Sequence, residues 1–93
     1  MVPQLFRIGP YVVFFWSNEG VPLECIHVHI AKGRPSANST KVWLTRSGHC
    51  ILENNDSGIP RNVLGNLLAI IETQSPLIGR KWLDYFGKID YIC

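Results

Sequence analysis

A chain of 93 residues, 46% of them hydrophobic and 17% charged, has the length of one domain and too much apolar content for a disordered chain. Its formal net charge of +2 is too small to make nucleic acid the expected partner by charge alone. The longest apolar run, residues 11–16, is too short for a bilayer span or a signal peptide. We therefore expect one cytoplasmic domain over residues 1–93, without membrane contact.

The first half of the chain has the composition of β-strands. Aromatic and β-branched residues crowd both sides of Gly9-Pro10, which predicts a hairpin. The run Ile-His-Val-His-Ile around His27 alternates apolar and polar side chains, as a strand with two different faces does. Four or five strands are expected, over residues 5–8, 11–16, 26–31, 40–45 and 50–53.

The second half changes to the helical period. Apolar residues spaced for one helix face predict a helix over about residues 60–74, and Ser75-Pro76 supplies an N-cap and a first-turn proline for a second helix over about 76–90. Strands followed by helices favour an α+β class. We expect a mainly antiparallel four- to five-stranded sheet followed by two C-terminal helices packed on one face.

Strand alternation predicts which side chains the helix-free face presents. Residues 11–16 are apolar on both sides, so either Val13 and Phe15 or Phe14 and Trp16 face away from the helices. An apolar patch of this kind favours a contact surface for another chain or a ligand. Alternation also places Thr45 on the helix-free face. The residues that we expect to bind a partner are Arg7, Phe15, His27, His29, Lys41 and Trp43.

The pair His27 and His29 could place two imidazoles on one metal, with Glu19, Cys25 or His49 as a third ligand. Zinc sites usually have a ligand pair at each end of a characteristic spacing, and this chain has only one pair. Structural or interfacial histidines are the better interpretation, and we expect neither a metal nor another cofactor.

A second interpretation of the two histidines is metal-free cleavage of RNA. Histidine titrates near neutral pH, so His27 and His29 could act as base and acid while Arg7 or Lys41 stabilises the charge. Glu19 completes the set of candidate catalytic residues. Polar side chains that a half-exposed strand merely tolerates would give the same pattern.

Two further features of the sequence are a basic middle segment and three cysteines. Between Cys25 and Leu52 the chain has no carboxylate, and four cations there could hold a phosphate backbone beside Trp43, although loop solvation explains much of this basic strip. Three cysteines without CxxC spacing favour a reducing compartment, and a buried thiol is a better interpretation of them than a nucleophile. The four cations are Lys32, Arg34, Lys41 and Arg46.

Several segments, taken in order, resemble an uncharacterised bacterial family, domain of unknown function 4160. The resemblance implies a small cytoplasmic protein, often encoded beside another small protein, as in a toxin-antitoxin module, and it brings no established activity. The positions that match the family are Arg7, Glu19, His27, His29 and Trp43. The segments are Phe6-Arg7-Ile8-Gly9, Phe14-Phe15-Trp16-Ser17-Asn18-Glu19-Gly20, His27-Val28-His29, Lys41-Val42-Trp43-Leu44 and Trp82-Leu83-Asp84-Tyr85-Phe86.

We therefore expect a non-enzymatic interaction module, one component of a two-gene system, that contacts a second copy or a small protein partner through its helix-free face. The sequence leaves nucleic acid open as a partner. The alternative is a small RNA-directed nuclease that uses His27 and His29, with or without a metal.

Overall fold

The computed structural model describes residues 3–17 and 24–92. In these ranges five strands form one antiparallel sheet, in which each strand pairs with the next one along the chain. The predicted α+β class with an antiparallel sheet and two C-terminal helices is confirmed. The strands are β1 (Gln4–Ile8), β2 (Tyr11–Phe14), β3 (His27–Lys32), β4 (Thr40–Leu44) and β5 (Cys50–Asn54).

Two helices follow the sheet, α1 (Arg61–Thr73) and α2 (Ser75–Phe86). Helix α2 ends earlier than predicted because Gly87 adopts a left-handed φ of 81° and its N–H bonds to the carbonyl of Leu83 at 2.8 Å. Ser75 is the first helical residue rather than the cap, which is Gln74. Within the described ranges, no helix has the length and hydrophobicity that crossing a bilayer requires.

The main core lies between the helices and one face of the sheet. Alternate residues of β3 and β4 point into it, as the period of two predicts, and the apolar stripes of both helices cover them. Each fully buried side chain of this size contributes about 1.5–3 kcal/mol to stability. The core includes Val13, Phe15, Ile26, Val28, Ile30, Val42, Leu44, Leu67, Ile71, Ile78 and Trp82.

A buried polar network closes the connection between β5 and α1. The Asn55 carboxamide oxygen accepts hydrogen bonds from the Thr40 hydroxyl at 2.7 Å and from the Ile59 N–H at 3.1 Å, while its Nδ2 donates to the Ile59 carbonyl at 2.9 Å. Thr40 is fully buried. One amide side chain therefore satisfies groups on a strand and on the segment before a helix.

We expect Asn55→Ala to lower the free energy of unfolding by about 2 kcal/mol, because it leaves the backbone N–H and carbonyl of Ile59 without partners and removes one of the two hydrogen bonds of the buried Thr40 hydroxyl. Urea denaturation measures the change. The control is Asn38→Ala at an exposed position, where the change should stay within about 0.5 kcal/mol. Equal losses in the two variants would show that the network is not what stabilises this connection.

Candidate functional site

The face of the sheet opposite the helices, here called the helix-free face, is organised in cross-strand rows. The register aligns Arg7 with Val12 and Ala31 in one row. A second row aligns Phe14 with His29 and Lys41, and a third aligns His27 with Trp43 and Ile51. Directly paired residues project to the same side, so these rows form one surface. The register thus brings Arg7, His29, Lys41 and Trp43 to one face, as predicted.

A small apolar cluster of its own lies on the helix-free face. Val12, Phe14 and Ala31 are buried there, and Trp16 packs against them, with its ring edge-on to Phe14 at 5.2 Å. The cluster contains no helical residue among those described. This part of the sheet is therefore covered by side chains of the face itself and not by α1 or α2.

Phe15 was predicted on this face, and that prediction is wrong. Its ring is buried on the helix side, 5.2 Å from Trp82 and 5.5 Å from Phe86. The segment is apolar on both sides, so hydrophobicity did not distinguish its two parities. The aromatic residues of the helix-free face are Phe14 and Trp16, and of the two only Trp16 retains contact with solvent.

His27 was also predicted at the surface, and it is fully buried. It is the first residue of β3, at the end of the sheet, where Trp82 of α2 can reach its ring, with the centroids 5.3 Å apart. Its ring also lies edge-on to Trp43 at 5.4 Å. The Nδ1 atom lies 2.9 Å from the Cys25 carbonyl, which can only accept, so Nδ1 carries the proton. Thr45, predicted on the same face, is likewise buried.

His29 is half-buried between aromatic rings. It stacks on Phe14 with centroids 5.5 Å apart and lies 6.2 Å from Trp16. Burial, with the neighbouring His27 and Lys41 adding to it, lowers the pKa of His29 from 6.5 to about 4. Its buried Nδ1 has no hydrogen-bond partner among the described residues. At neutral pH the ring is uncharged, so it cannot act there as a general acid.

Trp43 and Lys41 are held in place by two carboxylates. The Trp43 Nε1–H donates to Glu53 Oε1 at 2.6 Å, and Lys41 Nζ lies 4.3 Å from the centre of the Trp43 ring. Lys41 also pairs with Glu24 at 2.9 Å. The result is a half-buried indole fixed in orientation, with one carboxylate on its N–H, one cation on its ring and a second carboxylate on that cation.

The two glutamates were not predicted as site residues. Glu53 follows Ile51 at a spacing of two on β5, so strand alternation would have indicated that it shares a face with Ile51. No sequence signal could have identified Glu24, because its contact with Lys41 joins residues 17 positions apart. The candidate Glu19 lies outside the described residues.

The four predicted basic residues do not form one strip. Lys41 is paired with Glu24, and Arg46 lies over the ring of Tyr91 at 5.0 Å. Lys32 and Arg34 lie at the other end of β4 from Arg46, beside the turn that leads into this strand. Only these two of the four have neither an ion pair nor a ring contact among the described residues.

The described residues provide neither a cluster of metal ligands nor, at Cys50, a reactive thiol. Residues 3–17 and 24–92 contain no group of three or more His, Cys, Asp or Glu side chains arranged to hold a metal ion. The rings of His27 and His29 are perpendicular, with centroids 5.0 Å apart. Burial and the nearby Glu72 raise the pKa of the Cys50 thiol to about 12, so this thiol stays protonated and unreactive.

A family model described as "Domain of unknown function (DUF4160)" matches residues 11–83. These residues include most of the helix-free face, from β2 through β5, as well as α1 and most of α2. No curated protein and no solved structure matches the chain.

Proposed function

The chain belongs to the family of domain of unknown function 4160, and on that premise we propose that it is a protein-binding module rather than an enzyme, which contacts a small protein partner through its helix-free face. The partner is the product of a neighbouring gene, in a two-gene arrangement of the toxin-antitoxin kind. The module works in the cytoplasm.

The observation that carries the proposal is the fixed, half-exposed indole of Trp43. Its hydrogen bond to Glu53 and the Lys41 ammonium on its ring orient it before any partner arrives. An aromatic side chain held in one orientation loses little conformational entropy on binding, and tryptophan is among the commonest hot-spot residues of protein interfaces. Trp16 and the exposed Ile51 extend the apolar area on the same face.

The charges on the helix-free face favour a protein over a nucleic acid at this surface. The Lys41 cation is neutralised by Glu24 and lies on Trp43, while the Glu53 carboxylate lies beside the same indole. Beside Trp43, a polyanion would meet these two carboxylates around Lys41 and would be repelled by them. A protein partner with polar groups of both signs around an apolar centre complements the surface.

The alternative of an RNA-directed nuclease receives less support from the geometry. Acid–base cleavage needs both imidazoles within hydrogen-bond reach of a substrate, and His27 is fully buried. The low pKa of His29, about 4, leaves it unprotonated at neutral pH. The uncharged imidazole of His29 could serve as a weak base, but the mechanism also needs a protonated histidine as its acid, and the buried His27 cannot reach a substrate.

We expect Trp43→Ala to weaken binding of the small protein encoded by the neighbouring gene about thirtyfold, the effect of losing a hot spot worth about 2 kcal/mol. Isothermal titration calorimetry measures the dissociation constant. Sedimentation of the protein alone tests whether a second copy occupies the same face instead.

The matched control is Leu83→Ala, which removes an exposed apolar side chain (47% accessible) from α2, on the opposite side of the molecule. It should leave the dissociation constant unchanged, and circular dichroism at the titration temperature should show both variants folded. Equal weakening by both, or weakening by Leu83→Ala alone, would contradict the proposed surface.

A further inference from the structure

A second group of charged residues surrounds Gly33, at the opposite end of β3 from the pair of His27 and Trp43. Arg7 reaches across from β1, and its Nη2 donates to the Gly33 carbonyl at 2.7 Å. Lys32 and Arg34 flank the same glycine in sequence. The Gly33 N–H donates to the Pro10 carbonyl at 2.7 Å, and its φ of +84° is a conformation that favours glycine. The turn therefore brings three cations to one end of the sheet.

Lys32 and Arg34 line a cleft of about 430 Å³ at this end. Ser36 and Asn38 add a hydroxyl and an amide to its wall, and Asp56 adds one carboxylate. The segment that carries Ser36 is held by Ser39, whose hydroxyl donates to the Ser36 carbonyl at 2.6 Å. The cleft thus combines two positive charges with neutral donors on a braced turn.

The charge at this cleft is only partly balanced, because Asp56 contributes one carboxylate against the two cations. Among the described residues, neither Lys32 nor Arg34 has a carboxylate within salt-bridge distance, whereas Lys41 and Lys88 each have one. Grouped like charges repel each other, and a concave wall concentrates their potential, which draws an anion to the site. Arginine and lysine with hydroxyl and amide donors are the groups that hold phosphate oxygens in proteins.

We propose that this cleft binds the phosphate of a ribonucleotide, either free or within an RNA strand. Lys32 and Arg34 contact the phosphate oxygens, and Ser36 and Asn38 donate hydrogen bonds to them. Asp56 accepts a hydrogen bond from a ribose hydroxyl, a group that inorganic phosphate lacks. The site is independent of the protein contact through Trp43, so either proposal can fail without the other.

Fluorescence anisotropy with a labelled single-stranded RNA of about ten nucleotides tests the site, with AMP and inorganic phosphate as competitors. The test variant is Lys32→Gln with Arg34→Gln. The control is Arg80→Gln with Lys81→Gln, which removes the same two charges from exposed positions on α2. Comparison of the two pairs separates a local site from the effect of net charge.

We expect the test pair to reduce RNA affinity about tenfold or more and to reduce the salt slope by about 0.7, because both side chains contact the same phosphate and each phosphate contact to a single strand contributes about 0.7. The control pair should change the RNA affinity and the salt slope by less than half of these amounts. Competition by AMP, but not by inorganic phosphate, would support a free ribonucleotide as the ligand. Competition by neither would support a strand.

Three results would overturn the proposal. They are equal losses in the test and control pairs, the absence of RNA and AMP binding at low salt, and competition by inorganic phosphate as strong as that by AMP. Asp56→Asn provides a second check. Loss of a hydroxyl contact should weaken AMP binding although the substitution removes a negative charge, whereas tighter binding would remove Asp56 from the site.

Discussion

Trp82→Ala should lower the free energy of unfolding by about 3–5 kcal/mol, the usual cost of truncating a fully buried tryptophan. The indole is 0% exposed. Its ring centroid lies 5.2 Å from that of Phe15, 5.3 Å from that of His27 and 4.5 Å from that of Phe86. It joins α2 both to the main core and to the end of β3. Because a domain of this size has a total stability of only about 5–15 kcal/mol, we expect a much lower melting temperature.

Two further variants make this result specific. Leu83→Ala changes the next residue, which is 47% exposed, and should cost less than about 0.5 kcal/mol. Trp82→Phe should recover part of the loss, because the indole N–H has no hydrogen-bond partner among the described residues and only its apolar bulk needs replacing. A loss for Trp82→Ala no larger than that for Leu83→Ala would contradict the packing described here.

The second large effect is a loss of stability in acid that depends on His29. Its pKa is about 4 in the folded protein and 6.5 in the unfolded chain. Between these values the unfolded chain binds a proton that the folded protein does not bind. The stabilisation is therefore complete above pH 6.5, declines as the pH falls towards 4, and declines no further below that.

The slope of this loss is at most about 1.4 kcal/mol per pH unit, and closer to 1 because the half-buried ring keeps some solvent contact. Urea unfolding at pH 7, 6 and 5 should give a shallower pH dependence for His29→Gln than for the wild type. The control Asn66→Gln changes an exposed residue of α1 that carries no titratable group, and it should leave the dependence close to that of the wild type. Parallel curves for wild type and His29→Gln would refute this account.

The sequence predicted the fold well where one physical pattern dominates. The alternation of Ile26, Val28 and Ile30 placed their side chains in the core, and the helical spacing around Leu67 and Ile71 located α1. Strand order was not predictable, because alternation assigns faces and not neighbours. Helix α2 ends early because Gly87 adopts a left-handed backbone conformation. The apolar stripe from which the helix was predicted continues beyond this residue and so gave no sign of the end.

The candidate site was less predictable, and the corrections to Phe15 and His27 have different causes. Phe15 lies in a segment that is hydrophobic on both sides, so either parity was consistent with the sequence. His27 follows the predicted alternation in its pairing with Trp43, yet a large side chain from another element covers it. Alternation indicates the direction of a side chain, whereas burial also depends on what packs over it.

The three tryptophans offer the most direct test of the central claim, that the helix-free face binds the partner. Trp16 and Trp43 lie on that face and Trp82 lies in the main core, so their indole N–H signals in an ¹⁵N NMR spectrum report on the two sides separately. Titration with the proposed partner, the product of a neighbouring gene, should shift or broaden the Trp43 and Trp16 signals more than the Trp82 signal, which can respond only through the His27 ring between Trp43 and Trp82. An unchanged Trp43 signal, with shifts confined to the backbone amides of exposed α2 residues, would contradict the claim.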